Sequence, residues 1–304
     1  MVINHMNAYS LRWTIDKKDE GKSIKEYLHI KGISRRALSD IKFTGGSIKV
    51  NGQVRNVRHL LKETDLLVIE FPPEEINERL KSEDIRLSIC YEDHDIIVVE
   101  KPPFMNTIPS REHPTGSLAN ALVYHYEKTG NASAIHIVTR LDRNTSGLVL
   151  IAKHRHAHHL LGLQQQQGKI HRYYEAFAEN AFTEIQGCID APIGRKPASI
   201  IEREVRMDGQ RAVTHFKLIS NYPNFSHIKL ELETGRTHQI RVHMSHIGHP
   251  LLGDDLYGGN QKIIARQALH CKEIQFRHPL KQNELIFTSS LPQDMETIIT
   301  KESF

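Results

Sequence analysis

The chain has 304 residues, 39% hydrophobic and 25% charged, with a net charge of +4, which describes a soluble globular protein of about two domains. No apolar run approaches the roughly 18–20 residues that span a bilayer, and the opening MVINHMNAYS lacks the apolar core of a signal peptide. Cys90, Cys188 and Cys271 stand far apart with no CxxC spacing, which argues against a zinc or disulfide framework and for buried free thiols in a reducing cytosol.

The charge is uneven. Residues 1–71 hold 13 Lys+Arg against 8 Asp+Glu, a net +5, leaving 27 against 28 for the rest. A basic end piece on a near-neutral body fits docking to a polyanion, although an ordinary solvated face has the same composition. Leu11–Ile15 reads as a short edge strand, and residues 21–33 carry apolar positions at helical spacing up to Gly32. Ser34 caps a second helix, SRRALSDIKFT, with Leu38 and Ile41 inward and Gly45-Gly46 after it. Arg35 and Arg36 occupy its first turn, against the preference of the helix dipole for anions there. Phosphate contact is one reason to place them so. Asn51-Gly52 joins Ser47–Val50 to Gln53–Val54 as a two-residue hairpin, and Leu66–Phe71 is a further strand. Pro72-Pro73 and EEINERLKSED make a linker over 72–83.

Beyond it, Ile85–Tyr91 and Ile96–Lys101 read as strands and Leu118–Tyr126 as a helix. Residues His154–Leu163 look helical. His154 and His158 share a face there, but no Glu stands between them and no third ligand is evident, so a polar or RNA-facing surface is preferred to a metal site. Ile170–Ala178 is a strand on which Tyr173 and Tyr174 point to opposite faces. Ile185–Ile189, Ile201–Val205, Ala212–Ile219 and His227–Leu232 read as strands of a large, mostly antiparallel sheet, with Pro192 and Gly194 in a connection. A helix starts at Gly235 and Thr237, buries Ile240, Met244 and Ile247, and carries Arg241 on another face. Strands at Ala268–Phe276 and Leu285–Ser289 and a helix at Gln293–Thr300 close the chain.

One stretch organises the rest: His136–Lys153, HIVTRLDRNTSGLVLIAK. Two short apolar runs flank a polar turn with Asp142 in it, a strand–turn–strand pattern. Arg140 and Arg143 flank Asp142 closely, and positive charge favours an ionised carboxylate. The alternative is an Asx-turn in which Asp142 merely caps its own backbone.

Together RLDRNTSGLVLIAK, RYYEA and TGRTHQIRVHMSHIGHPLLGDDLYG, supported by VVEKPPFMNTIPS and ALHCKEIQFRHPL, resemble the RluA/RluD family of RNA pseudouridine synthases over about residues 84–290. The helix pair and GGSIKVNG hairpin of residues 20–71 resemble the S-four-type RNA-binding domain, a common companion. The resemblance implies an α+β protein. Its domains would be an α/β RNA-binding domain over 1–71 and a catalytic domain over 84–304, built on a mostly antiparallel mixed sheet. The implied activity is isomerisation of specific uridines in structured RNA to pseudouridine, with large-subunit rRNA favoured and tRNA the other candidate. The setting would be a cytoplasmic monomer with no membrane contact. The isomerisation oxidises nothing and imports no group, so it calls for no cofactor and no metal.

Asp142 matches the family's catalytic aspartate, acting as nucleophile on the sugar or as base beside it. Arg241 matches the arginine that pairs with it, and Tyr174 the tyrosine that stacks on uracil and lies near the carbon-5 proton. Val242 matches an apolar pocket position, and Arg140 lends support beside Asp142. Arg35, Arg36, Lys42 and Lys49 would meet RNA phosphates by the same analogy. Thr139 departs from the family, which usually has His there. Two other functions stay in view. A catalytically silent RNA-binding or ribosome-assembly factor would require a broken Asp/Arg/Tyr set. A nucleoside hydrolase would release free uracil.

Overall fold

The computed structural model describes residues 9–75, 79–131 and 133–302; the opening MVINHMNA and residues 76–78 of the expected linker lie outside them. The N-terminal part comprises β1 (Ser10–Thr14), α1 (Ile24–Ile30), α2 (Arg35–Phe43), β2 (Ser47–Val50), β3 (Gln53–Val54) and β4 (Leu66–Glu70). The Ser34 hydroxyl accepts the Ala37 N–H at the start of α2, a cap worth about 1 kcal/mol. Asn51 and Gly52 take φ of 50° and 80°, the left-handed pair that a tight hairpin needs. The strands run in the order β1-β4-β2-β3. Ile15, Ile24, Leu28, Ile41, Leu67 and Ile69 form a core of their own beneath the helices.

The remainder is built from β5 (Ser88–Glu92), β6 (Ile96–Lys101), α3 (Leu118–Thr129), β7 (His136–Ile137), β8 (Ser146–Ala152), α4 (Arg155–Gln166) and β9 (His171–Ala178). Then come β10 (Gln186–Asp190), β11 (Ile193–Arg195), β12 (Arg203–Val205), β13 (Val213–Asn221), β14 (Ser226–Leu232), α5 (Gln239–His246), β15 (Leu269–Arg277), β16 (Glu284–Thr288) and α6 (Gln293–Glu302). A ten-stranded mixed sheet runs β10-β13-β14-β9-β15-β8-β6-β5, with β7 added to β8 and β16 to β15. Every described pairing is antiparallel except β15 with β8. All seven residues of β8 are buried, which is why its apolar run does not alternate. Each such Val, Ile or Leu contributes about 1.5–3 kcal/mol by leaving water.

Some expectations need correction. The strand expected from Ile85 begins at Ser88. The expected connection at Pro192 and Gly194 contains β11, which pairs with β12 as a separate ribbon. Helix α5 begins at Gln239, not near Gly235, because His238 takes a left-handed φ of 58°. Only Cys271 is buried; Cys90 and Cys188 are exposed, since β5 and β10 are the two ends of the sheet path.

Two of the four histidines at the start of α4 depart from the expected polar surface, while His158 is exposed. His154 and His156 are buried, stacked on Tyr9 and Phe71 with ring centroids 3.6 and 5.6 Å apart. Glu74, just past the prolines, accepts hydrogen bonds from the N–H groups of Arg155 and Ala134 and pairs with His136. The N-terminal part is thereby tied to the large sheet.

Candidate active site

Asp142 sits on the turn between β7 and β8, half-buried. Two side chains from the 98–110 stretch hold that turn. The Lys101 ammonium, fully buried at the end of β6, donates to the carbonyls of Pro102, Met105 and Arg143 at 2.9, 2.8 and 3.2 Å. Thr107 Oγ1 donates to the Leu141 carbonyl at 2.8 Å and accepts the Leu141 N–H at 3.1 Å. Burial pulls the Lys101 ammonium down to about 7, and the charge of Asp142 opposes that shift. Thr139, where the family usually has His, is buried and accepts the Leu150 N–H at 2.9 Å. In this chain the position braces the turn.

Across the cleft, α5 supplies Arg241. The resemblance pairs this arginine with Asp142; in the structure its two-pronged contact goes to another carboxylate. Arg241 Nε and Nη2 donate to the two oxygens of Asp254, both at 2.7 Å. Its remaining nitrogen, Nη1, lies 3.6 Å from Asp142 Oδ2, a charge contact longer than a hydrogen bond. Burial works against the guanidinium's charge, yet Asp254, with help from Asp142, carries its pKa above the ordinary arginine value. The guanidinium lies over the Tyr257 ring, 5.0 Å from its centroid.

His238 completes this side. Its Nδ1 lies 2.8 Å from the Tyr257 hydroxyl and its Nε2 3.9 Å from Asp142 Oδ2. Tyr257 Oη accepts the Arg203 N–H, so its own proton can go to His238 Nδ1. That tautomer leaves His238 Nε2–H turned toward Asp142. Burial lowers the His238 pKa against the pull of Asp142, which favours a neutral ring. The sequence names neither His238 nor Asp254 as a site residue. Both lie inside the TGRTHQIR…GDDLYG stretch, which was the available signal.

Tyr174 on β9 is buried, paired across the sheet with Cys271 on β15. Burial first, then Cys271, raise the phenol above its usual range. It therefore keeps its proton at neutral pH, and a base role would start from the wrong form. Val242 is buried in a small cluster with Ile193 and Ala212, against which Val205 and Tyr257 pack. Arg140 is exposed, with no hydrogen bond or ion pair among the described residues. The structure thus brings Asp142, Arg241 and His238 together, with Tyr174 within reach of the charge of Asp142.

Two clusters away from this cleft resemble metal sites: His94, Asp95 and His154, and Asp93, Asp95 and His278. Their hydrogen bonds argue otherwise. His154 Nδ1 accepts the Ala157 N–H and His278 Nδ1 accepts the Lys281 N–H. The proton of each neutral ring therefore sits on Nε2, facing Asp95 at 3.1 Å and Asp93 at 2.9 Å. A ligating histidine would need that lone pair free and would donate from its other nitrogen.

The chain is similar to known proteins. The sequence profile described as RNA pseudouridylate synthase matches residues 95–246. An uncharacterized RNA pseudouridine synthase of Bacillus subtilis, YjbO, is 50% identical over 281 residues, 92% of this chain and 99% of that protein. Ribosomal large subunit pseudouridine synthase D of Pseudomonas aeruginosa is 39% identical over 82% of each chain. Among solved structures, human RNA Pseudouridylate Synthase Domain Containing 1 shares the fold with a TM-score of 0.57 at 20% identity, covering 75% of this chain and 97% of that one. With half its residues identical to one such synthase along nearly the whole chain, this protein belongs to the RNA pseudouridylate synthase family, among enzymes of the RluA/RluD type.

Proposed function

We propose that this RNA pseudouridine synthase acts on uridines of structured RNA, large-subunit rRNA before tRNA, with Asp142 as its catalytic carboxylate. The observation that carries the assignment is the meeting of Asp142 with Arg241 Nη1 at 3.6 Å, beside a buried tyrosine. The bond from ribose C1′ to uracil N1 breaks, the ring turns, and C1′ joins carbon 5. Asp142 either bonds to C1′ or takes a proton from C2′. Both routes need a carboxylate held still and aimed at the sugar. The pinned turn supplies the placement and Arg241 the counter-charge. Tyr174 serves as a flat platform for the uracil. The target uridine must leave its stack to arrive there.

The N-terminal part is the RNA-docking module in this proposal, in keeping with its +5 charge. The relative named for large-subunit modification favours rRNA as the substrate. In this proposal the protein is a cytoplasmic monomer. No described helix is long and apolar enough to cross a membrane.

Asp142→Asn tests the assignment. It is nearly isosteric, so folding and RNA binding should persist while pseudouridine formation falls to background. RNA from cells lacking the protein, treated with either enzyme and mapped for pseudouridine base by base, supplies the readout and also names the target. Turnover by the variant at the wild-type rate would defeat the proposed chemistry.

A further inference from the structure

Side chains alternate along a strand, so Arg172 shares the Tyr174 face of β9. It is 9% exposed. The other two buried arginines are fully engaged, Arg241 by Asp254 and Arg266 by Asp294. Arg172 makes no hydrogen bond and no ion pair among the described residues. None of its nitrogens is among the buried polar atoms that lack a partner, so the stem is buried while the guanidinium tip meets the surface, unengaged and open to an anion that is present only at some stage of the work.

Its surroundings say where that anion would be. A Cβ built on Gly235 would lie 2.8 Å from Arg172 Nη2, so the glycine that opens TGRTHQIR leaves room for the guanidinium. The Arg172 charge reaches the Tyr174 phenol and the Cys271 thiol, and it counters the rise that burial imposes on both. Asp142 also acts on that phenol. Arg172 and Tyr174 thus share the buried face of β9, two residues apart, which sets the unpaired cation next to the ring platform.

We propose that Arg172 contacts the uracil ring of the target uridine and stabilises the negative charge the ring acquires when its bond to ribose breaks. The inference rests on the function proposed above. When C1′–N1 breaks, the bonding electron pair leaves with the ring and spreads over N1, O2 and O4. This holds whether Asp142 bonds to C1′ or removes the C2′ proton. Carbon 5 then bonds to C1′, the carbon-5 proton departs and N1 gains one, so the atoms balance and nothing is oxidised. Arg172 transfers no proton; its N–H groups donate to the ring's oxygens more strongly in the anion than in the uridine. A backbone phosphate is the other anion an arginine takes, but phosphates follow the RNA surface, and Arg172 is nine-tenths buried beside the platform.

The test compares wild type, Arg172→Met and Arg172→Lys on total RNA from cells lacking the enzyme, grown with and without 5-fluorouracil. Product nucleosides are quantified by mass spectrometry under single-turnover conditions. Fluorine withdraws electrons and makes the ring a better leaving anion. Arg172→Met should slow pseudouridine formation by about 10²-fold, slow the fluorinated product at least tenfold less, and leave RNA affinity unchanged. Arg172→Lys should recover part of the rate. Melting temperature should hold, since the guanidinium has no partner in the protein to lose. Equal slowing of both rings overturns the proposal. So does a lost RNA affinity with an unchanged saturated rate, which marks a phosphate contact, or a marked fall in stability, which marks a structural arginine. Failure of wild type to form pseudouridine, or full activity of Asp142→Asn, would instead defeat the underlying function.

Discussion

Arg241 commits two nitrogens to Asp254 and offers the third to Asp142. Asp254 is fully buried and also accepts the N–H groups of Leu256 and Tyr257, each at 3.2 Å. The loop after α5 is thus folded around the carboxylate that holds the arginine. Asp254→Asn should leave a buried guanidinium half-compensated and cost about 3 kcal/mol of stability. It should also misplace Nη1 and slow pseudouridine formation on the order of 10²-fold with RNA affinity retained. Urea unfolding and single-turnover rates check the two parts, and a wild-type rate would mean that Arg241 needs no such holder. Asp142, Tyr174 and Arg241 could be proposed from the sequence because linked motifs mark them. The partner of Arg241 could not. Helical spacing reports only which residues share a face, and the contact with Asp254 depends on how the chain returns after Gly248.

Among elements, the decisive junction is the one parallel pairing among the described strands, where β15 meets β8 at Ser146 and Gly147. Gly147 has φ +111°, and a Cβ there would lie 2.3 Å from the Cys271 carbonyl oxygen. Only glycine permits that approach. Gly147→Ala should cost more than about 3 kcal/mol and disturb Asp142 five residues earlier along with Tyr174, which faces Cys271 across β9 and β15. A chemical-denaturation midpoint within error of wild type would refute this. Strands with long β-branched runs, such as β6 and β8, announce themselves in the sequence. Strand β11 does not: it is three residues long and follows a proline. The start of α5 was hidden because a left-handed His238 has no compositional signature. Exposure of Cys90 and Cys188 depends on which strands end the sheet, and apolar neighbours in the sequence do not reveal that.

At the scale of the whole molecule, the N-terminal part lies against α4 through buried histidines, and a cavity of about 1410 Å³ lined by residues such as Arg12, Arg36, Asp40, His94 and His158 separates the two. Both His156 ring nitrogens lack a partner among the described residues, and burial lowers its pKa to about 4. Between pH 6.5 and 4 the unfolded chain holds a proton there that the folded chain does not. Stability therefore falls as pH drops through that window, by about 2 kcal/mol at pH 5 from this group. His156→Phe keeps the packing on Phe71 and should remove that loss, so variant and wild type should diverge from pH 7 to pH 5 in urea midpoints. Parallel curves would place the acid sensitivity elsewhere. Docking of RNA to the N-terminal part can be divided in the same way. Arg35, Arg36 and Lys42 are exposed with no ion pair among the described residues, whereas Lys49 is held by Glu70 at 2.9 Å. Arg36 also lines the cavity. Phosphate contacts release counterions, and each adds roughly 0.7–0.9 to the slope of log affinity against log salt. Replacing Arg35 and Lys42 together with Ala should lower that slope by about 1.5 and weaken RNA binding. Lys49→Ala should leave the slope unchanged, since its charge is already met within the protein. Neither change should alter the single-turnover rate at saturating RNA, because Asp142, Tyr174 and Arg241 all belong to the large sheet and its connections. An unchanged slope in the double variant would move the docking surface off α2, and a lost rate would mean that the N-terminal part helps to aim the target uridine at Asp142.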